Sequence, residues 1–394
     1  MKKILVASTA LVAAGMITAG SASASEKIKL SLGGYSKWWV VGAWQDDSFE
    51  ASQGTTGQGD ANSVDVKGDN EIWFSGSTKL DNGLEVGINI ELEAGGNTET
   101  AGGQNTTGDV IDKSYVYISG GFGKVIVGTE SNGTVLLHTM APEAAGNSGA
   151  DGILTGGLAI AQPTNVGTKV TTEIDTDAEA DKITYVAPTF YGLTVGATYV
   201  PNAGEDNQRV YGGAASAGAA GVQANEIYGV GAMYANTFGG VGVKASAGWV
   251  TYDIAQATSR SNEYAFGTQL SYAGFTLGGS YRMIRENAAG GVNNVANANN
   301  ASGDTWDIGL TYETGPWTVG AFYLNSQANG DMTVQGDDEF TVYQISGKYN
   351  MGAGVDLLAT IGHAEYDDES AKAANADANH NEGWAVMTGL SLQF

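Results

Sequence analysis

From Lys27 to the C-terminus the sequence alternates with period two, segment after segment. Lys27 to Leu32 places Ile28, Leu30 and Leu32 on one face and Lys27, Lys29 and Ser31 on the other. Leu84 to Leu92 sets Leu84, Val86, Ile88, Ile90 and Leu92 against Glu85, Gly87, Asn89 and Glu91. Similar rows run through Tyr264, Phe266 and Leu270, through Trp306, Ile308, Leu310 and Tyr312, and through Trp384, Val386, Leu390 and Leu392. Successive strand side chains point to opposite faces, so each segment reads as a strand with one oily face and one polar or glycine face. Sixteen such segments can be laid out, from 27–43 to 382–394, with 123–130 and 181–187 flanking the longest connection, Ser131 to Ala180. The connections alternate between tight turns, such as Asp81-Asn82-Gly83 and Ala273-Gly274, and mostly longer polar stretches such as Asp46 to Lys67 and Asn287 to Gly303.

An open sheet of that many antiparallel strands would leave two unpaired edges, so closure is expected. The polar faces carry Lys, Glu, Asp and Gln at many positions, which a dry core could not accept. The arrangement that fits is inverted, with oily faces on lipid and polar faces around a wet lumen. The fold class read from the sequence is therefore all-β: a closed 16-stranded antiparallel transmembrane β-barrel with short periplasmic turns and long outer loops. The first 24 residues read as an export leader: Lys2 and Lys3, an apolar run from Ile4 to Ile17, and Ala22-Ser23-Ala24 as a small-x-small cleavage site. Residues 1–24 are thus expected to be a signal peptide and 25–394 the barrel, placed in the outer membrane. After the leader no stretch approaches the ~20 apolar residues of a spanning helix.

Composition excludes several function classes. The formal charge is −25, and without Lys2 and Lys3 it falls to −27, which argues against a nucleic-acid partner. There is no Cys, hence no disulfide, thiolate metal site or Cys nucleophile. The three His are far apart, and no phosphate loop, HExxH, GxSxG or EF-hand pattern occurs, so no enzyme is expected. Asp46-Asp47 and Asp367-Asp368-Glu369 are hard-oxygen clusters that could take Ca²⁺ at the outer loops or could simply be solvated loop charges. The second reading is preferred, so no cofactor is required.

Gly120-Gly121-Phe122-Gly123-Lys124-Val125-Ile126-Val127-Gly128, Tyr185-Val186-Ala187-Pro188-Thr189-Phe190-Tyr191-Gly192-Leu193, and the terminal Leu390-Ser391-Leu392-Gln393-Phe394 resemble the Gram-negative general porins. The similarity extends over essentially the whole mature chain. It implies a homotrimer of 16-stranded barrels, embedded in outer-membrane lipid and lipopolysaccharide, each with a water-filled pore for small hydrophilic solutes. It also implies a third outer loop folded into the channel, and a role for Phe394 as the signal read by the outer-membrane assembly machinery. Family members commonly carry Arg just after the glycine of the fifth strand, whereas Thr129 and Glu130 follow Gly128 here. Arg is scarce throughout, which puts a dense arginine wall in doubt.

A free connection as long as 131–180 is unusual unless it is functional. Its Gly-rich middle portion, Ala141 to Gly157, carries Glu143 and Asp151, the acids expected at the constriction. Glu173, Asp175, Asp177 and Glu179 are expected to face outward on the return. Basic partners follow from parity, since a Lys on the lipid face at mid-membrane costs about 2–4 kcal/mol. Lys37, Lys79, Lys113, Lys124, Lys244, Arg282 and Lys348 are accordingly expected on the lumen wall, among acids that include Glu71, Glu85, Glu91 and Asp307. Lys27 and Lys182, near strand ends, are candidates for snorkelling. Charges at the narrowest section dominate selectivity, and the expectation is a mild cation preference, the alternative being a selective channel for sugars or organic anions. Aromatics such as Trp38, Tyr199, Trp249, Trp306, Trp317 and Trp384 fall near strand ends on the oily face, as interfacial girdles do. Only Trp39 and Trp73 among the Trp have lumen parity.

Overall fold

The computed structural model describes residues 27–47, 49, 63–95, 111–163, 165–177, 179–203, 224–254, 259–286, 302–330, 336–369 and 379–394. The leader expected over 1–24, and most of the outer connections at 46–67 and 287–303, lie outside these residues. The described chain is a closed barrel in which each strand pairs antiparallel with its sequence neighbours and the first meets the last. The strands are β1 (Ser31–Gln45), β2 (Val64–Lys79), β3 (Glu85–Glu93), β4 (Ile111–Gly120), β5 (Gly123–Thr129), β6 (Lys182–Val186), β7 (Leu193–Asn202) and β8 (Ala224–Phe238). They continue as β9 (Val241–Ile254), β10 (Ser261–Tyr272), β11 (Phe275–Arg285), β12 (Gly303–Thr314), β13 (Trp317–Ala328), β14 (Asp338–Gly352), β15 (Val355–Asp367) and β16 (His380–Gln393). All sixteen expected strands are present.

Turn chemistry explains the tight end of the barrel. Tyr191-Gly192, Gly239-Gly240, Ala273-Gly274 and Ala353-Gly354 all have positive φ at both positions. That is the backbone of two-residue hairpin turns whose twist matches the flanking strands, and Gly at the second position keeps it nearly free of strain. The closing seam runs in register from Tyr35↔Gln393 to Gln45↔Gly383. Phe394 ends it through reciprocal bonds with Gly34, Gly34 N–H to Phe394 O at 3.0 Å and Phe394 N–H to Gly34 O at 3.1 Å. A Cβ on Gly34 would lie 2.9 Å from the Phe394 ring, so the glycine makes room for the terminal aromatic, which stays exposed.

Alternation turns out as the sequence requires. Trp38 and Val40 are 45% and 49% exposed, while their neighbours Trp39 and Val41 are 0% and 2% exposed. Outward aromatics pair at both ends of the strands: Tyr199 with Tyr228, Trp306 with Tyr323, Phe275 with Tyr312, and Trp317 with Tyr349. His363, on the outward row, stacks on Tyr343 at 5.0 Å and meets Trp384 edge-on at 5.1 Å. At the outer rim the two acidic runs converge, with His380 Nε2 3.3 Å from Asp46 Oδ2 and His380 Nδ1 2.8 Å from Asp367 Oδ1.

The lumen is less wet than the alternation suggests. Lumen-facing Trp39, Phe322, Leu324, Phe340, Val342, Tyr366 and Met387 form a dry core with Ile153, Leu154 and Ile160 of the 131–180 loop. Near the middle of β13, β14 and β16 both faces are apolar, Tyr323 beside Phe322, Tyr343 beside Val342 and Trp384 beside Ala385, because one meets lipid and the other meets this loop.

Candidate pore constriction

The loop between β5 and β6 lies inside the barrel and can be followed as two limbs. The descending limb begins with a single helical turn, α1 (Gly133–Leu136), capped by Asn132 Oδ1, which accepts the backbone N–H of Thr134 and of Val135. It lies directly on the wall along a track of glycines on successive strands. A Cβ on Gly231 would come within 2.5 Å of Gly133 O, on Gly248 within 3.1 Å of Thr134 Cβ, on Gly267 within 1.8 Å of Thr139 O, and on Gly309 within 2.2 Å of Pro142 O. Backbone can approach backbone here only where no side chain intervenes. Met140 O accepts from Gln269 at 2.8 Å, and Asp307 takes Ala141 N–H at 3.2 Å together with the backbone and hydroxyl of Ser280.

Glu143 does not project into open water. Its Oε2 accepts the backbone N–H of Ala145, Gly146 and Asn147, and its Oε1 accepts from Ser346 on β14, so the carboxylate knits the loop tip and ties it to the wall. Asn147 Nδ2 adds a bond to Thr360 on β15 at 2.8 Å. Asp151 is exposed to the lumen. Its carboxyl is held above the usual range by the enclosing protein and by Asp69, with Lys37 and Lys113 opposing the shift. Those groups locate Asp151 opposite β1, β2 and β4.

The ascending limb departs from expectation. Glu173, Asp175, Asp177 and Glu179 do not face outward, because the extended segment lies along the inner wall. Asp177 is 1% exposed and pairs with Lys182 Nζ at 3.2 Å while accepting from Asn132 Nδ2 at 2.5 Å. Lys182, itself 3% exposed, is therefore an internal partner and does not snorkel. Asp175 pairs with Arg282 at 2.6 Å. Burial, with Asp175 and Asp151 nearby, pushes the Glu173 carboxyl up to about 7. His138, bridging Thr172 Oγ1 at 3.2 Å and Ser246 Oγ at 3.4 Å, is lowered to about 4 by burial and by Arg282. It stays neutral at pH 7 and serves as a hydrogen-bonding spacer between limb and wall.

The lysines expected on the wall all occupy lumen rows, in different surroundings. Lys37 binds Asp69 at 2.5 Å, and Lys113 binds Glu91 and Asp112, each at 3.0 Å. Lys124 lies 4.0 Å over the Tyr117 ring centroid, a cation–π contact. Lys79 is exposed at the short-turn end of β2, and Lys244 and Lys348 are partly exposed on β9 and β14. Arg282 is 2% exposed and locked between Glu263 and Asp175, so it sits beneath the loop and not on the open water face. Trp39 is sealed under the loop, whereas Trp73 is partly exposed beside Tyr35, ring centroids 6.2 Å apart.

Asp151, with Glu173 close enough to act on it, lies across from Lys37, Asp69, Asp112 and Lys113 of β1, β2 and β4. A chain folded this way matches a family model described as Gram-negative porin over residues 7–369. No match was found among curated proteins. Solved structures with the same fold include an anion-selective porin from Comamonas acidovorans, at 15% identity and TM-score 0.59, covering 93% of this chain and 100% of the other. The outer-membrane channel DcaP of Acinetobacter baumannii matches at 13% identity and TM-score 0.59, covering 93% of this chain and 97% of that one. A triple mutant of Rhodopseudomonas blastica porin matches at 15% identity and TM-score 0.55, covering 93% and 100%. Family model and barrel together place the chain among the Gram-negative porins, as a channel-forming β-barrel of the outer membrane.

Proposed function

We propose that the barrel passes small hydrophilic solutes by diffusion and prefers cations. The observation that carries the sign is the charge balance at the aperture. Lys37 and Lys113 are each already bound to wall carboxylates, Asp69 for one and Glu91 with Asp112 for the other. Glu71 and Asp151, joined by Glu173 as pH rises through about 7, are acids without an ion-pair partner among the described residues, where ions pass within a few ångströms. The Comamonas neighbour is described as anion-selective, so the sign must come from side chains and not from the fold. Zero-current potentials in a KCl gradient test the reading: potassium preference supports it and chloride preference refutes it. Saturable block by one sugar or organic anion would favour a substrate-selective channel instead.

Self-association, as a homotrimer, has its support on the outer face. The outward rows of β7 to β16 and β1 carry Tyr199, Tyr228, Trp249, Tyr281, Trp306, Tyr343, Trp384 and Trp44, whereas within β2 to β5 the only outward aromatic is Phe74. An interfacial belt is expected wherever a barrel meets headgroups, and a stretch without one fits contact with another copy. Chemical cross-linking in detergent that yields monomers alone would refute this.

A further inference from the structure

Arg282 invites reading as a solute-facing cation, yet its surroundings point elsewhere. Its Nε and Nη2 donate to Glu263 Oε2 at 3.0 and 2.7 Å, Nη1 meets Asp175 Oδ1 at 2.6 Å, and Nη2 reaches Thr176 Oγ1 at 3.4 Å. Thr176 in turn donates to Glu263 Oε1. Glu263 and Arg282 are 1% and 2% exposed and stand on neighbouring strands, β10 and β11. The wall therefore holds a buried ion pair whose one remaining coordination side is closed by two consecutive residues of the ascending limb. A guanidinium spends its forked donors on fixed partners when those partners are planar carboxylates at matched positions.

We infer that Arg282 is a positioning residue: it latches Asp175 and Thr176 of the ascending limb to the β10–β11 wall and thereby sets the width of the aperture. The inference rests on the loop-narrowed channel proposed above. Without the guanidinium, Glu263 faces Asp175 with no cation between them, and like charges in a partly desolvated site repel. The limb then leaves the wall. Pairs in which both partners are buried cannot be half-removed without leaving an uncompensated charge, so a charge-conserving double change is the cleaner test.

The experiment compares the parent, Glu263→Gln/Arg282→Met and Arg282→Lys, each refolded as full barrels. Single-channel conductance is read in planar bilayers, and tryptic cleavage at Lys169, a partly buried residue of the same limb, is read in detergent. The double variant keeps the net charge, so a changed conductance of about 1.5-fold or more, with new cleavage at Lys169, is the expected result, and Arg282→Lys should fall between it and the parent. Unchanged conductance and cleavage would overturn the latch, as would a shift in ion selectivity alone, which would make Arg282 a solute-facing charge. If the double variant does not fold, Asp175→Asn/Thr176→Val alters the same contact from the loop side and leaves the wall pair whole. Lys169 cleavage then decides: cleavage in that variant but not in the parent supports the latch, and equal resistance overturns it. A parent that never conducts would refute the channel reading, while the proteolysis readout would still judge the latch.

Discussion

The two sides of the lumen are built from different chemistry. The covered side, β7 through β16 with the outer half of β1, offers glycines on the track of the descending limb and apolar rings beneath Ile153, Leu154 and Ile160. The open side, β2 to β5 with the inner half of β1, carries Asp69, Glu71, Glu91, Asp112, Lys37 and Lys113 on its lumen rows. Covering charge is costly unless each group keeps a partner, as Glu263, Arg282 and Asp307 do beneath the loop, whereas covering glycine backbone and apolar rings is favourable. The loop therefore lies where the wall can be dried, and the water path is left where it cannot. On this argument the side of the pore is decided by the wall, and the loop follows.

That contrast can be broken at a single glycine. A Cβ on Gly267 would stand 1.8 Å from Thr139 O, so Gly267→Val must push the descending limb toward the open side. We expect single-channel conductance to fall by half or more, roughly. Gly347, whose nearest neighbour to an added Cβ is 3.7 Å away, provides the control: Gly347→Ala should leave conductance unchanged. Next in size is Leu154→Ala, which opens a cavity in the dry core of the covered side. A cost of about 2–5 kcal/mol is expected from such truncations, seen in thermal or denaturant unfolding of the barrel in detergent.

On the open side the effects are electrostatic and smaller. Asp151→Asn with Glu173→Gln should shift the zero-current potential toward the nonselective value, and an unchanged potential would remove both acids from the ion path. The smallest effect is with pH. Burial, Asp175 and Asp151 raise Glu173 to about 7, so it is neutral below that value and gains its negative charge as pH rises through it. Cation preference should therefore increase from pH 6 to pH 8, and Glu173→Gln should flatten that change.

Most of the barrel was legible because a strand repeats its message every two residues. The fifth strand read over 123–130 is Gly123–Thr129, and the last, read over 382–394, is His380–Gln393. Parity also assigned Lys37, Lys79, Lys113, Lys124, Lys244 and Lys348 to the lumen row, since a cation at mid-membrane on the lipid face is costly. Its limit is that it says which face a side chain is on but not what covers that face. Hence Arg282 has the expected face but lies beneath the loop and not on open water, and Glu143 lies in the expected loop but has a structural partner in Ser346. The irregular limb 171–181 has no period to read, so its acids were expected outward, although the chain turns them onto Arg282 and Lys182. A signal for the covered side did exist: Phe322-Tyr323-Leu324, with apolar residues on both faces, breaks the alternation where the loop docks.

Because the chain has no Cys, each introduced thiol is unique, and accessibility can be measured side by side within one open channel. Lys37→Cys, Trp73→Cys and Lys124→Cys report the open wall, while Phe322→Cys and Val342→Cys report the wall beneath the loop. Treatment with a charged methanethiosulfonate during single-channel recording should step the current down in the first three and leave the last two unaffected. Equal reaction on both sides, or reaction confined to the Phe322 and Val342 sites, would contradict the account.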